Sequence, residues 1–196
     1  TSISLPIKTI IMKRYILLII SLMITLCSCE KEWVEDIRLK ALDSIRGYYE
    51  LESATWEGKD PIDLNSDGTA SYDYYDEWLS VLNGVGDFGA SIKDGSGYIE
   101  LPFTIDSNAD WGGYVSINKS LERIVCKTSV EIEGKEGRLV HEFSPVGIKL
   151  EFEQTGYGEF TIRKEMKCTV KYGENESRVI KGPVLFHYKR VEYRAY

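Results

Sequence analysis

A strict alternation of apolar and polar residues runs through the second half of the chain and predicts β-strands. A period of two is typical of strands with one buried and one solvated face. Glycine-rich turn clusters separate these stretches at residues 134–137, 144–147, 156–158 and 173–175. Such short links join antiparallel neighbours, so Leu121 to Val191 is predicted to form five consecutive meander strands. The predicted inward-facing residues are Ile124, Cys126, Thr128, Val130, Ile132, Ile148, Leu150, Phe152, Phe160, Ile162, Met166, Cys168 and Val170.

The first half of the chain is less regular and predicts shorter strands together with two helices. Apolar residues at four-residue spacing from Trp33 to Ile45 predict a short amphipathic helix. A second short helix is predicted by the helical spacing of Tyr75, Trp78, Leu79 and Leu82. Strands are expected near residues 47–56, 87–93, 97–105 and 110–118. In the third of these, the inward-facing residues are Ile99, Leu101, Phe103 and Ile105.

These elements predict an all-β fold. The expected architecture is an antiparallel up-and-down β-barrel of about 8–10 strands with a short N-terminal helix. Closing the sheet into a barrel removes exposed strand edges, which otherwise favour association with other chains. Pro183 would interrupt the ladder of the last strand and predicts a bulge or a free edge there. A sandwich of two sheets is the alternative architecture.

The first 28 residues have the organisation of a secretory signal. Lys13 and Arg14 precede an apolar run from Tyr15 to Cys27, and the chain turns acidic after Cys29. The run has 13 residues, whereas a transmembrane helix needs about 20 apolar residues, so a membrane span is the weaker alternative. The tetrapeptide Leu26-Cys27-Ser28-Cys29 resembles the bacterial lipobox. In that family a peptidase cuts before the cysteine, which then carries the lipid.

The lipobox resemblance implies a division of the chain into three parts. Residues 1–28 would be the signal peptide, with residues 1–11 upstream of the true start at Met12. Residues 29–45 would form a lipid-anchored tether and the short helix, and residues 46–196 the barrel domain. The membrane partner would be reached through an acyl chain on Cys29. A cleaved signal without lipid is the alternative.

The same resemblance places the protein in the outer membrane of a Gram-negative bacterium. The segment Cys29-Glu30-Lys31-Glu32 resembles the surface-export tag of some lipoproteins, a lysine followed by acids. Surface and periplasmic orientations both stay open, since a solvated tether is the plainer interpretation of this segment.

Residues 46–82 resemble lipocalin-like (calycin-type) bacterial lipoproteins. Gly47 is followed two residues later by the aromatic Tyr49, as at the opening of a lipocalin-type barrel. The segment from Asp63 to Gly68 resembles a recurrent Asp-x-Asn-x-Asp-Gly stretch that precedes a short acidic helix in that group. Barrels of this size either hold one small ligand or are filled by their own side chains.

A candidate calcium site lies in this segment. Asp63, Asn65 and Asp67 supply oxygens at the first, third and fifth positions, and Gly68 occupies the sixth, as in the front half of an EF-hand loop. The twelfth position, where a bidentate acid is needed, holds Tyr74 instead. An ordinary exposed turn prefers the same residue types and is the alternative.

Cys126 and Cys168 remain as ordinary thiols once Cys27 leaves with the signal and Cys29 is acylated. An exported protein keeps disulfides, so these cysteines predict either a bridge or two buried free thiols.

The sequence contains few candidate catalytic residues. The two histidines, His141 and His187, lie in predicted strands without a nucleophile motif beside them, which predicts a protein that is not an enzyme.

The charge balance bears on the partners. All 31 acids and all but three of the 24 bases follow Ser28, which gives the mature chain a net charge of −10. A surface this acidic repels phosphate backbones and argues against nucleic acid as a partner.

Aromatic residues crowd the first half of the chain. The candidate ligand-binding residues are Trp56, Tyr75, Trp78, Trp111 and Tyr114. Flat rings stack on sugars and also bury well, so core or cavity lining and a surface glycan platform are both open. The expected function is a lipid-anchored, non-catalytic binding module for a small molecule or glycan. The alternatives are a structural or assembly-partner protein with a filled barrel and a glycan-active hydrolase.

The lipobox generates a direct prediction. Radiolabelled palmitate should enter the full chain expressed in a Gram-negative host, and Cys29→Ala should abolish the incorporation because the acceptor thiol is lost. Gel fluorography of the purified protein measures the label. Equal labelling of the two proteins, or none in either, would contradict lipidation at Cys29.

Overall fold

The computed structural model describes residues 31–81, 88–107, 116–172 and 176–192. Contacts divide the chain into two compact units. Unit 1 comprises Thr1–Ala41 and Val130–Arg138, and unit 2 comprises Leu42–Ser129 and Leu139–Tyr196. Within the described ranges, no helix is long and apolar enough to cross a bilayer. The predicted signal segment and Cys29 lie outside the described residues.

In the described ranges, eight strands form one sheet, within the 8–10 strands that the sequence patterns predict. The sheet order is β5-β4-β3-β2-β1-β8-β7-β6, and the pairs for which a register is defined are antiparallel. The all-β, antiparallel up-and-down prediction is therefore confirmed, and a single sheet replaces the two-sheet alternative. The strands are β1 Gly47–Trp56, β2 Gly89–Ile92, β3 Gly97–Ser107, β4 Ser116–Glu133, β5 Glu136–Ser144, β6 Leu150–Gly156, β7 Glu159–Lys171 and β8 Ser177–Val191.

Within unit 2 the sheet curls on itself as a lipocalin-like half-barrel. The first strand pairs with the last, from Tyr48 opposite Val191 to Trp56 opposite Val184. Thr104 on β3 donates its hydroxyl to the Thr169 carbonyl on β7 at 2.7 Å, which brings these two strands face to face across the interior. The hydrogen-bonded order begins at β5 and ends at β6.

Aromatic side chains fill the interior between the facing strands. Phe160 stacks on Tyr188 with ring centroids 5.0 Å apart and on Phe152 at 5.1 Å, and Tyr49 meets Phe160 edge-on at 4.8 Å. Phe160 and Tyr188 are fully buried. His141 of β5 contacts Phe152 of β6 at 4.5 Å between ring centroids, so side chains bridge the two end strands. At this level the interior is occupied by the protein's own rings.

Three buried aromatic side chains donate hydrogen bonds to carbonyls of β3. Among the described residues, β2 pairs with β3 through Ala90–Ile99 and Ser91–Tyr98, and this register extends no further along β3 than Ile99. The bonds are Tyr188 Oη to Glu100 O at 2.5 Å, Tyr74 Oη to Pro102 O at 2.7 Å and Trp78 Nε1 to Phe103 O at 2.9 Å. Burial raises the pKa of both tyrosines well above the ordinary value, which keeps their hydroxyls protonated and able to donate.

Both predicted helices are present. Helix α1 covers residues 31–43. In unit 1, α1 packs closely on Gly137, where a β-carbon would lie 2.9 Å from Ile37 Cγ2. In unit 2, Leu42 and Ile45 are buried, and the Ser44 carbonyl accepts from the Gly158 amide at 2.9 Å.

Helix α2 is Tyr74–Leu79, with the Asp73 side chain accepting from the Asp76 amide at its start. Such an N-cap satisfies an amide that has no partner within the helix. Leu82, predicted to belong to this helix, lies outside the described residues.

Three details of the strand prediction are corrected. β4 runs without a break from Ser116, so residues 116–118 belong to the same strand as Leu121, and residues 110–115 lie outside the described ranges. Ile105 was expected to face inward, yet it is 39% exposed because β3 continues past the buried core. Phe103 is only partly buried and packs at the edge of the core.

Pro183 does not lie on a free edge strand, since β8 is an interior strand between β1 and β7. The pairing of β1 with β8 ends at Trp56–Val184, and Val184 is the residue that follows the proline in the chain. The Pro183 carbonyl accepts from the Glu57 amide at 2.9 Å. The missing amide therefore falls where β8 has reached the end of its β1 ladder, which explains why proline is tolerated there.

The tyrosine hydroxyl bonds generate a stability prediction. Tyr74→Phe should lower the free energy of unfolding by about 1–3 kcal/mol, because the buried Pro102 carbonyl loses its donor. Denaturant unfolding followed by circular dichroism measures the change. The matched control is Tyr72→Phe, since Tyr72 is 47% exposed and its hydroxyl bonds the Lys59 carbonyl, which solvent water can reach. Equal losses in the two variants would contradict the assignment.

Candidate functional site

A cleft of about 600 Å³ opens beside Trp56 in unit 2. This volume is within the usual range for small-molecule sites. One wall is the loop that follows β1, and the other is the end of the β7–β8 hairpin. The lining residues are Trp56, Gly58, Lys59, Asp60, Pro61, Ile62, Asp63, Ala70, Val170, Lys171, Tyr172, Arg178, Ile180 and Lys181.

Trp56 forms the floor of the cleft and is held from several sides. Its ring stacks on Tyr74 at 6.5 Å, and its Nε1 donates to the Asp60 carbonyl at 2.9 Å. A β-carbon at Gly58 would lie 2.3 Å from Nε1, and one at Gly182 would lie 2.6 Å from Cη2, so both positions need glycine. Trp56 is only 5% exposed, and an indole this enclosed contributes an edge to the cleft and no open face for stacking.

The loop wall is tied to the turn that precedes α2. Ile62 and Ser71 exchange two backbone hydrogen bonds, at 2.9 and 2.8 Å. The Tyr72 hydroxyl donates to the Lys59 carbonyl at 3.0 Å. These bonds fix the backbone of residues 59–62 against the rest of unit 2, so this wall of the cleft is formed in advance of any ligand.

The hairpin wall alternates buried and exposed side chains. Val170 of β7 pairs with Arg178 of β8, and Lys171 pairs with Ser177. Val170 is buried, while Lys171 and Arg178 are exposed. The Arg178 guanidinium lies over the Tyr172 ring, 4.9 Å from its centroid, and Tyr172 is 57% exposed. The cleft therefore presents an accessible ring with a cation stacked on it.

The cleft carries an excess of positive charge. Its lining contains four cations, from Lys59, Lys171, Arg178 and Lys181, and two carboxylates. Among the described residues, none of these four cations is within 4.0 Å of a carboxylate. The whole chain has a formal charge of −7, so the local sign is opposite to that of the protein.

The five predicted ligand-binding aromatics do not form one site. Trp56 is the cleft floor, whereas Trp78 is 1% exposed and meets Phe88 edge-on at 4.7 Å, so it is a core residue. Tyr75 also contacts Phe88, at 6.2 Å between centroids. Trp111 and Tyr114 lie outside the described residues. The sequence prediction missed Tyr172 and the cations, which carry no motif and join the site only through strand pairing.

The side-chain oxygens of the candidate calcium residues accept hydrogen bonds from backbone amides of their own turn. Asp63 accepts from the amides of Asp67 at 3.2 Å and Gly68 at 2.9 Å. Asn65 accepts from the Asp67 amide at 2.9 Å, and Asp67 accepts from the Thr69 amide at 2.7 Å. In the described part of the chain, no group of three or more His, Cys, Asp or Glu side chains could hold a metal ion. Calcium stays a prediction, and these contacts favour the turn.

Cys126 and Cys168 are buried free thiols, so the predicted disulfide is absent and the alternative holds. The reason lies in their partners: Cys168 Sγ contacts the Tyr74 hydroxyl at 3.1 Å, and Cys126 Sγ lies 3.7 Å from Thr128 Oγ1. Each sulfur faces a hydroxyl in its own part of the interior.

One cysteine–histidine contact was missed by the sequence prediction. Cys126 Sγ lies 3.9 Å from His141 Nδ1, which also contacts Thr128 Oγ1 at 3.0 Å. A nucleophilic cysteine needs a lowered pKa and access to substrate. Here burial raises the pKa of the Cys126 thiol and lowers the pKa of His141, and Cys126 is fully buried. The thiol of Cys126 and the imidazole of His141 therefore have the properties of side chains packed in the core.

A hydrolase would need a carboxyl of raised pKa in a cleft. Burial raises the pKa of Glu77, but Glu77 is not in the cleft lining. Its Oε2 accepts from the Leu64 amide at 3.0 Å, which gives it a structural role beneath the turn.

The chain matches no protein-family model, no curated protein and no solved structure at a significant level. The argument for a function therefore rests on the cleft and on the sequence features described above.

The burial of the two thiols generates a prediction about their reactivity. In a variant with both Cys27→Ala and Cys29→Ala, Cys126 and Cys168 should resist Ellman's reagent at pH 8 while the protein is folded, because both are buried and burial raises the pKa of each thiol. Denaturation without reductant should release both thiols to the reagent. No release on denaturation would indicate that the two cysteines are bridged after all.

Proposed function

We propose that this protein is a lipid-anchored lipoprotein of the outer membrane or cell surface whose half-barrel is a non-catalytic binding module. The ligand is a small molecule or glycan, and its site is the cleft beside Trp56. The cleft itself is the observation that carries the proposal. It is of small-molecule size, and it combines an accessible ring with basic side chains that have no carboxylate within 4.0 Å among the described residues.

The cleft does not overlap with the stacked rings of the interior, because none of Phe160, Tyr188 and Phe152 is among its lining residues. Those rings occupy the space between β3 and β7 that a lipocalin-type ligand would need. A ligand in the cleft beside Trp56 leaves that packing intact. Binding then needs no opening of the core, and the preformed loop wall reduces the ordering cost of association.

The anchor and the localisation rest on the lipobox resemblance at Cys29. A single acyl chain gives only marginal membrane binding, with an association constant of about 10⁴ M⁻¹, and stable anchoring takes more than one signal. The three acyl chains of the lipoprotein family would meet that need. The acidic mature chain supports a partner other than nucleic acid.

A second candidate function is a structural or assembly-partner lipoprotein. The filled interior favours it, since a barrel packed with its own rings serves well as a rigid module. The two functions differ in one respect that can be measured: only the binding module needs the cleft to be open.

Blocking the cleft tests the binding function. Ala70 is exposed and lines the cleft, so Ala70→Trp should fill part of the space without disturbing the core. We expect calorimetry with a panel of neutral and acidic oligosaccharides to identify at least one that binds the wild type, and Ala70→Trp to weaken that binding more than tenfold.

The control is Ser129→Trp, which adds the same indole at an exposed position of β4 outside the cleft. Both variants should keep the wild-type melting temperature. If no member of the panel binds, or if the two variants bind equally well, the binding function is contradicted and the structural function is favoured.

A further inference from the structure

The strongest unexplained feature of the cleft is its combination of charges, and it narrows the chemical class of the ligand. We propose that the cleft binds an acidic saccharide, a sugar that carries a carboxylate, with Arg178 as the main anion-binding residue. This inference rests on the function proposed above and specifies the ligand of the same site.

The sign of the charge is the first argument. Four cations line the cleft of a protein whose formal charge is −7, and none has a carboxylate within 4.0 Å in the part of the chain that the structure describes. Clustered like charges without counter-ions repel one another and oppose folding. An anionic ligand would relieve that repulsion, because its charge is complementary to the cluster. A neutral ligand would leave it in place.

Arg178 has the geometry for a carboxylate. Its guanidinium lies 4.9 Å above the Tyr172 ring, which limits the orientations that the planar group can adopt. A guanidinium binds a carboxylate through two parallel hydrogen bonds, and a pre-oriented one loses less entropy on binding. Lys171 and Lys181 also line the cleft, but in the strand register they alternate with Val170 and Ile180, so Arg178 is the cation placed on the same face as those two residues.

The cleft also contains acceptors, which argues for a sugar over a simple inorganic anion. Asp60 lines the cleft, and no hydrogen bond of its carboxylate to a described residue is present, whereas the carboxylate of Asp63 accepts two amides of its own turn. A free carboxylate repels phosphate or sulfate but accepts hydrogen bonds from hydroxyl groups. A saccharide that carries both carboxylates and hydroxyl groups can bind the cations through the former and Asp60 through the latter. The Tyr172 ring carries the Arg178 guanidinium over one face and is still 57% exposed, so it adds apolar surface for a sugar.

Paired saccharides test the inference. Calorimetry would compare trigalacturonic acid with galactotriose, its neutral counterpart. We expect the acidic trisaccharide to bind about tenfold or more tightly than the neutral one, as charge-assisted hydrogen bonds require. The difference should shrink at about 1 M salt, where the screening length falls to about 3 Å. Equal affinities at low salt, or binding of neither trisaccharide, would overturn the inference.

Variants assign the anion to its residue. Arg178→Gln should reduce the affinity for trigalacturonic acid at least about tenfold, and Arg178→Lys should recover part of the loss, because charge is restored without the planar fork. Lys127→Gln, at an exposed position of β4 outside the cleft, makes the same change in net charge and should leave the affinity unchanged. Equal effects of Arg178→Gln and Lys127→Gln would show that only the overall charge matters and would overturn the assignment.

Failure of this inference and failure of the binding function give different results. If a neutral saccharide binds as well as the acidic one and Ala70→Trp abolishes both, the cleft is a binding site and the acidic class is wrong. Binding of sulfate alone at the concentration of the saccharide would identify an inorganic anion site and would also overturn it. If no member of the wider panel binds, both proposals fail together.

Discussion

The carbonyl groups of β3 beyond its short pairing with β2 are the constraint on which the rest of unit 2 depends. Backbone carbonyls that lose contact with water on burial need a hydrogen-bond donor. Leaving one without a donor lowers the free energy of unfolding by about 1–3 kcal/mol. Side chains from α2 and β8 supply the donors to Glu100, Pro102 and Phe103. Satisfying these groups holds α2 and the ring of Tyr188 against β3.

The same constraint explains why Trp78 and Tyr74 are unsuited to ligand binding. Each aromatic ring has one polar atom, and in both residues that atom is used by a backbone carbonyl of β3. The Nε1 of Trp56 is also used by a backbone carbonyl, that of Asp60, but this carbonyl lies in the cleft wall and not in β3. The described aromatic residues of the first half of the chain thus pack mostly in the interior. The accessible ring of the cleft, Tyr172, comes from the second half.

Sequence patterns predict an element correctly where its type and its buried face depend only on residues close together in the chain. The alternation in β7 places Phe160, Ile162 and Cys168 inside because side-chain direction in a strand depends only on position. Helix α1 and the turn before α2 are likewise encoded within a few residues. The strand pattern gives a wrong prediction at Ile105. The alternation of apolar and polar residues continues there, but the core against which β3 packs has ended, so Ile105 is exposed.

The candidate site was only partly predictable, because it joins segments that are distant along the chain. The loop after β1 meets residues 170–181 through the pairing of β1 with β8 and of β8 with β7, and no pattern within either segment specifies those pairings. Trp56 was identified from its type and location, whereas Lys171 and Arg178 look like ordinary solvated charges of a hairpin end. The contact of Cys126 with His141 joins the neighbouring strands β4 and β5, and it was missed because it depends on the register between them.

The pairing of β1 with β8 has a consequence for the timing of folding. The ribosome makes the first strand of the sheet long before its partner, so the half-barrel cannot form until nearly all of the chain has been translated. Contacts of such large sequence separation also slow folding. The domain therefore acquires its structure only when its last strand is available to pair with its first.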